Sequence, residues 1–177
     1  MRQAASTARL GLLSLSLFVA HAGFYLHRGT PQEVCWSCNV APLLLAFGGM
    51  TGKSYPCAVA VCWLAFGTPL WAFDLAMGSV FFPTSALTHV GGLAVGWRTL
   101  QRLGWPIGAW RVAVVAGLGW LVVTRLVTLP EHNVNLVFSV YPGWEWAPHA
   151  VYLGGLVAMS ALVFFLVERA ALRFGKT

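Results

Sequence analysis

Long stretches without a charged side chain dominate this sequence. Residues 10–26, 34–52, 54–73, 75–97 and 146–167 contain no Lys, Arg, Asp or Glu, and 112–124 is a sixth such run, broken by Arg125 before 126–129. A helix needs about 20 mostly apolar residues to cross the hydrocarbon core of a bilayer, and these runs meet or approach that length. Only 9% of the 177 residues are charged and 58% are hydrophobic, whereas soluble domains carry roughly 25% charge. The polar surface is too small to coat a soluble body, and disorder is excluded because disordered segments are charged and poor in apolar residues. The expected architecture is all-α. It is one polytopic domain, 1–177, of six transmembrane helices at about 9–27, 35–52, 55–75, 79–97, 109–129 and 147–168, with nothing left for a soluble domain.

The net charge of +6 invites a nucleic-acid reading until the charges are placed. With six spans and the N-terminus inside, Arg2, Arg9, Lys53, Arg98, Arg102, Arg111, Arg169, Arg173 and Lys176 fall on the inner side. Arg28 lies outside and Arg125 one turn inside the membrane, while Glu33, Asp74, Glu131 and Glu145 gather outside and Glu168 inside. That split follows the positive-inside rule, so the basic balance reflects topology and anionic lipid rather than nucleic acid. Both termini are expected in the cytoplasm. Arg2, Arg9, the apolar run that follows and Ala20-His21-Ala22 resemble a cleavable signal peptide; the preferred reading is an uncleaved first helix.

Polar groups inside a membrane are costly and mark function by default. Here they concentrate in the outer half: Cys35, Cys38 and Asn39 open span two, Thr68 and Asp74 close span three, and Thr84, Ser85, Thr88 and His89 lie early in span four. Arg125, Asn133, Asn135 and His149 lie at the same depth. Pro42, Pro69 and Pro83 are expected to bend or end their helices, and the apolar stretch 134–140 of the outer loop to re-enter or lie at the interface. An outward-opening polar cavity is the expected result. Cys35-Trp36-Ser37-Cys38 leaves three readings open: a disulfide, a redox pair, or one nucleophilic thiol. Metal is disfavoured because no second pair follows with ligand spacing. Cys57 and Cys62 read as packing residues, and Trp36, Trp97, Trp105, Trp144 and Trp146 as interfacial anchors. His21, His27, His132 and His149 carry no individual signal. Arg125 must snorkel, pair with Glu131 or Asp74, or hold a phosphate.

Four short segments resemble one family in order and spacing: Cys38-Asn39-Val40-Ala41-Pro42-Leu43, Trp63-Leu64-Ala65-Phe66-Gly67-Thr68-Pro69, Leu87-Thr88-His89-Val90-Gly91, and His132-Asn133-Val134-Asn135-Leu136-Val137-Phe138. They look like YwaF-type bacterial membrane proteins, which are similar to the transmembrane protein 164 lipid acyltransferases. The resemblance covers about 35–170. It implies a catalytic cysteine and histidine at Cys38 and His89. The distantly similar androgen-induced-gene-type lipid hydrolases use Thr and His, which keeps Thr68 in play. Asn135-Leu136 departs from the Asn-Tyr pair of the family, and Cys35 is an extra cysteine able to lock Cys38 in a disulfide.

Together these readings give an expected bacterial inner-membrane enzyme acting on lipid esters, its active face outward. Cys38 is the nucleophile and His89 its base, forming an acyl thioester. Asn39, Asn133 or Asn135 would donate to the oxyanion, Thr68 would line the substrate site and Arg125 would hold the phosphate. Phospholipid donor and lysolipid acceptor are the expected partners, and no cofactor is implied. Two rivals are a thiol–disulfide protein using Cys35 and Cys38, and a non-catalytic lipid- or solute-binding module lined by Arg125, Asp74 and His89. A full channel is disfavoured by the scarcity of polar residues in the inner half.

Overall fold

The computed structural model describes residues 2–174; Lys176 and the side chain of Arg2 fall outside what it describes. Among the described residues there is no strand. Six long helical segments follow one another: α1 (Arg2–His27), α2 (Ser37–Thr51), α3 (Ser54–Ala76), α4 (83–103), α5 (Ala109–Val127) and α6 (His149–Phe174). Four contain stretches long and apolar enough to cross a membrane: Ala4–His27, Ser54–Ala76, Ala109–Val127 and His149–Phe174. Their outer surfaces carry exposed aliphatics such as Val115, Leu126 and Val151, an apolar face too extensive for water and compatible with a lipid-embedded protein.

The pillar of the fold is α3. It buries 44% of its apolar window, against 6% for α6 and 11% for α5. Consecutive small residues Ala58 and Ala60, with Val59, Val61 and Cys62, are buried along it. Association between membrane helices relies on close backbone approach, because lipid is as apolar as leucine. The chain supplies that approach with glycine. A side chain at Gly49 of α2 would stand 3.0 Å from the Gly11 backbone of α1, and one at Gly96 of α4 would strike Val61 and Leu45. Cys57 and Cys62 are fully buried packing residues, as their apolar surroundings predict.

Hydrogen bonds between elements sort the helix termini into two ends. At one, the basic end, Tyr55 donates to the Ile107 carbonyl at 3.0 Å and Arg102 to the Ser6 carbonyl at 3.3 Å. There Glu168 of α6 is buried and accepts the backbone N–H of Gly108 (3.0 Å) and of Trp110 (2.9 Å), so one carboxylate caps the start of α5. Its charge suits the positive end of that helix dipole. The opposite, loop end holds the 3₁₀ turns Pro31–Cys35, Pro130–His132 and Val134–Leu136. Val134 and Val137 are buried there, so the apolar part of the long loop packs on protein, the condition for irregular backbone at membrane depth.

The three prolines take different positions, and Pro42 and Pro69 do not end their helices. Pro83 starts α4, where its missing N–H costs nothing, whereas Pro42 and Pro69 lie inside α2 and α3. Pro42 withholds the N–H that the Cys38 carbonyl would accept one turn earlier.

Candidate functional site

The loop end concentrates buried polar groups around the first turn of α2. After α1 the chain turns through Pro31–Cys35 and re-enters as α2 at Ser37, with no side chain of its own capping the helix. The cap comes from 98 residues away: Asn135 Oδ1 accepts both the N–H and the hydroxyl of Ser37, each at 2.9 Å. Asn39 then fixes the protonation of its neighbours. Its Nδ2 donates to the Glu33 carbonyl at 2.8 Å, which can only accept, so Oδ1 must be the atom facing His21 Nε2 at 3.1 Å. That ring nitrogen therefore carries the proton. Nδ1 of the neutral ring is then an acceptor, and the Thr84 hydroxyl, 3.0 Å away, donates to it. One chain of bonds thus ties α4, α1, α2 and the 3₁₀ turn, with His21 and Asn39 both buried.

Cys38 shares this network. Its thiol donates to Asn39 Oδ1 at 3.8 Å, the oxygen that also receives His21. It is half-buried against α3, where a side chain at Gly67 would approach Cys38 Cβ to 3.1 Å. All four cysteines are free thiols, so Cys35 and Cys38 stand unbridged. The Cys35 carbonyl is clamped by the Trp120 indole at 2.8 Å and by Asn135 Nδ2 at 2.9 Å.

His89 occupies a π-helical turn, Leu87–Gly91, in the middle of α4. Such turns recur at functional sites. Its Nδ1 donates to the Ser85 carbonyl at 2.9 Å, leaving Nε2 with the lone pair, and the ring stacks on Trp71 of α3 with centroids 4.8 Å apart. Nε2 is buried without a hydrogen-bond partner among the described residues, and the Thr68 and Thr88 hydroxyls share that condition. Trp71 lies one turn beyond Gly67–Thr68, so the α3 segment that faces Cys38 also carries the residue that holds His89. Cys38 and His89 nonetheless make no hydrogen bond to each other; the histidine coupled to Cys38 is His21, through Asn39.

His21 is the residue that sequence reasoning missed, because one histidine on an apolar helix has no motif around it. Its available signal is depth: it lies level with Asn39 and Thr84.

The residues of the long loop have structural duties. Asn135 gives its second N–H to the Thr124 hydroxyl at 2.9 Å, so both donors and its carbonyl are occupied. It has no free donor for an oxyanion in this conformation. Asn133 accepts the N–H of Phe138 (3.0 Å) and of Ser139 (2.9 Å) and donates back to the Ser139 carbonyl. Arg125 pairs with neither Glu131 nor Asp74: Nη1 donates to the Val137 carbonyl and the guanidinium covers the Phe138 ring. Asp74 instead accepts the Tyr141 hydroxyl at 2.7 Å, a bond that, with partial burial and the nearby negative charge, raises Tyr141 above the usual phenol range.

The chain matches no protein-family model, no curated protein and no solved structure. Chemically, the loop end offers a thiol, a buried imidazole lone pair and two unpaired hydroxyls around α3, with a hydrogen-bonded frame fixing the helix starts. No cluster of three His, Cys, Asp or Glu forms among the described residues.

Proposed function

We propose that this chain is a bacterial inner-membrane enzyme with six spans and cytoplasmic termini, transferring or hydrolysing the acyl group of a phospholipid ester at its outward end. The observation that carries the reading is His89: a buried imidazole, oriented by Ser85 and Trp71, whose Nε2 lone pair has no donor among the described residues. A burial cost of that kind is retained where the group has work to do.

In this reading His89 Nε2 takes the Cys38 S–H proton and the thiolate attacks the ester carbonyl carbon. The C–S bond forms as the ester C–O bond breaks, and His89 returns the proton to the leaving lysolipid oxygen. A lysolipid hydroxyl or water then gives its proton to His89 and attacks the thioester, and the departing sulfur regains the proton. Cys38 must first leave Asn39 Oδ1, so the Asn39 frame sets the resting position of the thiol. Ser37, Asn39 and Val40 already give their N–H groups to Asn135 and to the Trp36 carbonyl, which leaves the Cys38 N–H of the first turn of α2 for the oxyanion, and phospholipid phosphate meets Arg125 through the guanidinium N–H groups that Val137 leaves unused. The family resemblance and the convergence of Cys38, Gly67, Trp71 and His89 support this assignment.

The test is intact-protein mass spectrometry after incubation with phospholipid, on wild type, Cys38→Ala, Cys35→Ala and His89→Ala. A hydroxylamine-labile acyl mass is expected on wild type and Cys35→Ala, slow to form in His89→Ala and absent from Cys38→Ala. A mass two units light that a reductant restores, with no acyl adduct, would replace the reading with thiol–disulfide chemistry at Cys35 and Cys38.

A further inference from the structure

Far from the loop end, α3 and α4 leave a groove of about 590 Å³ at the basic end, lined by Val61, Leu93, Ala94, Trp97, Arg98 and Gln101. Five of the six come from one stripe of α4 at spacings of three, four and one, so the groove runs along the helix and spans roughly 12 Å at 1.5 Å per residue. Helices that cross a bilayer put such a groove parallel to the acyl chains. Its polarity is graded in the same direction. Leu93 and Ala94 form the deep, apolar part, Trp97 follows with Val61 beside Gly96, and Arg98 and Gln101 come last, near the end of α4 at Leu103.

The rim is cationic and uncompensated. Arg98 donates to Gln101 Oε1 at 3.4 Å and pairs with no carboxylate among the described residues. The acid at this end, Glu168, has both oxygens on the amides of Gly108 and Trp110. Lys53 and Arg111 lie at this end as well. An apolar trench parallel to the chains, closed at the interface by a guanidinium and an amide, has the polarity of a phospholipid standing with its headgroup at the basic end. Arginine matches phosphate through paired N–H groups, and anionic headgroups add about 1 kcal/mol per nearby basic side chain.

We propose that this groove seats one phospholipid with an anionic headgroup, its phosphate at Arg98 and Gln101 and one acyl chain along Trp97, Ala94 and Leu93 against Val61. This lipid is a resident, at the opposite end of the molecule from Cys38 and His89, and does not depend on any reaction there.

Delipidated full-length protein is titrated with phosphatidylglycerol and phosphatidylcholine of identical acyl chains, and lipid retention is read by native mass spectrometry alongside thermal stability. Wild type is expected to retain one phosphatidylglycerol with a roughly fivefold preference, the factor one basic side chain supplies. Arg98→Gln, an exposed substitution, should erase the preference while keeping the fold, and Ala94→Trp, which fills the trench, should abolish retention of either lipid. Leu118→Trp, on the exposed face of α5, should bind as wild type. Equal retention of the two lipids by wild type, or unchanged preference in Arg98→Gln, overturns the proposal.

Discussion

At the level of single residues, the molecule assigns its two central histidines opposite proton arrangements. His89 carries its proton on Nδ1 and leaves Nε2 bare, whereas His21 carries it on Nε2, where Asn39 receives it, and uses Nδ1 to accept from Thr84. His21 is thus unsuited to take the Cys38 proton at rest and suited to hold the oxygen that the thiol rests on. Replacing His21 by Ala removes two hydrogen bonds and opens space beside Cys38. We expect a loss of about 1–2 kcal/mol in stability, taking roughly 1 kcal/mol for each net bond, and faster maleimide labelling of Cys38 with Cys35 unchanged in the same protein. His21→Gln keeps one donor and one acceptor and should restore slow labelling. Peptide-resolved labelling rates decide this: a Cys38 rate in His21→Ala equal to wild type would show that the network does not hold the thiol.

Among the elements, the long loop between α5 and α6 is where sequence and structure part most. Asn133 and Asn135 attract an oxyanion reading because they lie at the depth of Cys38 and His89 in the sequence's expected layout. In the structure they fasten the loop, and their backbone shows why asparagine is used: Asn133 and Asn135 have φ of 42° and 56°, the left-handed region that asparagine tolerates better than most residues. Asn135 joins the loop to Ser37, Cys35 and Thr124 with four bonds. Asn135→Ala should therefore cost about 2–4 kcal/mol at roughly 1 kcal/mol per net bond. Hydrogen exchange across 128–148 and at the start of α2 should accelerate together, and acceleration confined to the loop would refute the cap. The helices themselves were legible, because a missing charge is a direct record of lipid. Their ends were less so: α4 begins at Pro83 rather than 79 and continues past Arg98 and Arg102, and α6 continues past Glu168 and Arg169. Charges mark where the membrane stops, while helices extend into the interface on side chains that reach water. The His21 network was illegible for another reason. Its partners are separated by 18 and 63 residues, and no local pattern encodes a contact between the last turns of one helix and the first turns of two others.

On the scale of the whole molecule, the open question is how many helices cross, and α2 decides it. Its 15 residues measure about 22 Å at 1.5 Å per residue, short of a hydrocarbon core near 30 Å. The 3₁₀ turn and Trp36 before it lengthen the segment, and α2 packs along α1 from Asn39 beside His21 to Gly49 beside Gly11. If α2 crosses, Lys53 sits on the cytoplasmic side with Arg102 and Arg111, as the positive-inside rule requires. If it does not, Lys53 lies on the same side as Thr30. Lys53→Cys distinguishes these cases in intact cells treated with a membrane-impermeant maleimide, with Glu145→Cys, exposed in the long loop, as the second site. Peptide mapping separates the engineered thiols from Cys35 and Cys38, while Cys57 and Cys62 are buried. We expect position 145 to label from outside and position 53 only after permeabilisation. Labelling of both in intact cells would reduce the crossing helices and place the basic turn at Lys53 outside, against the charge distribution of the rest of the chain. It would also separate the two ends' assignments, because the lipid seat at Arg98 and the chemistry at Cys38 require α2 and α3 to connect opposite faces of the membrane.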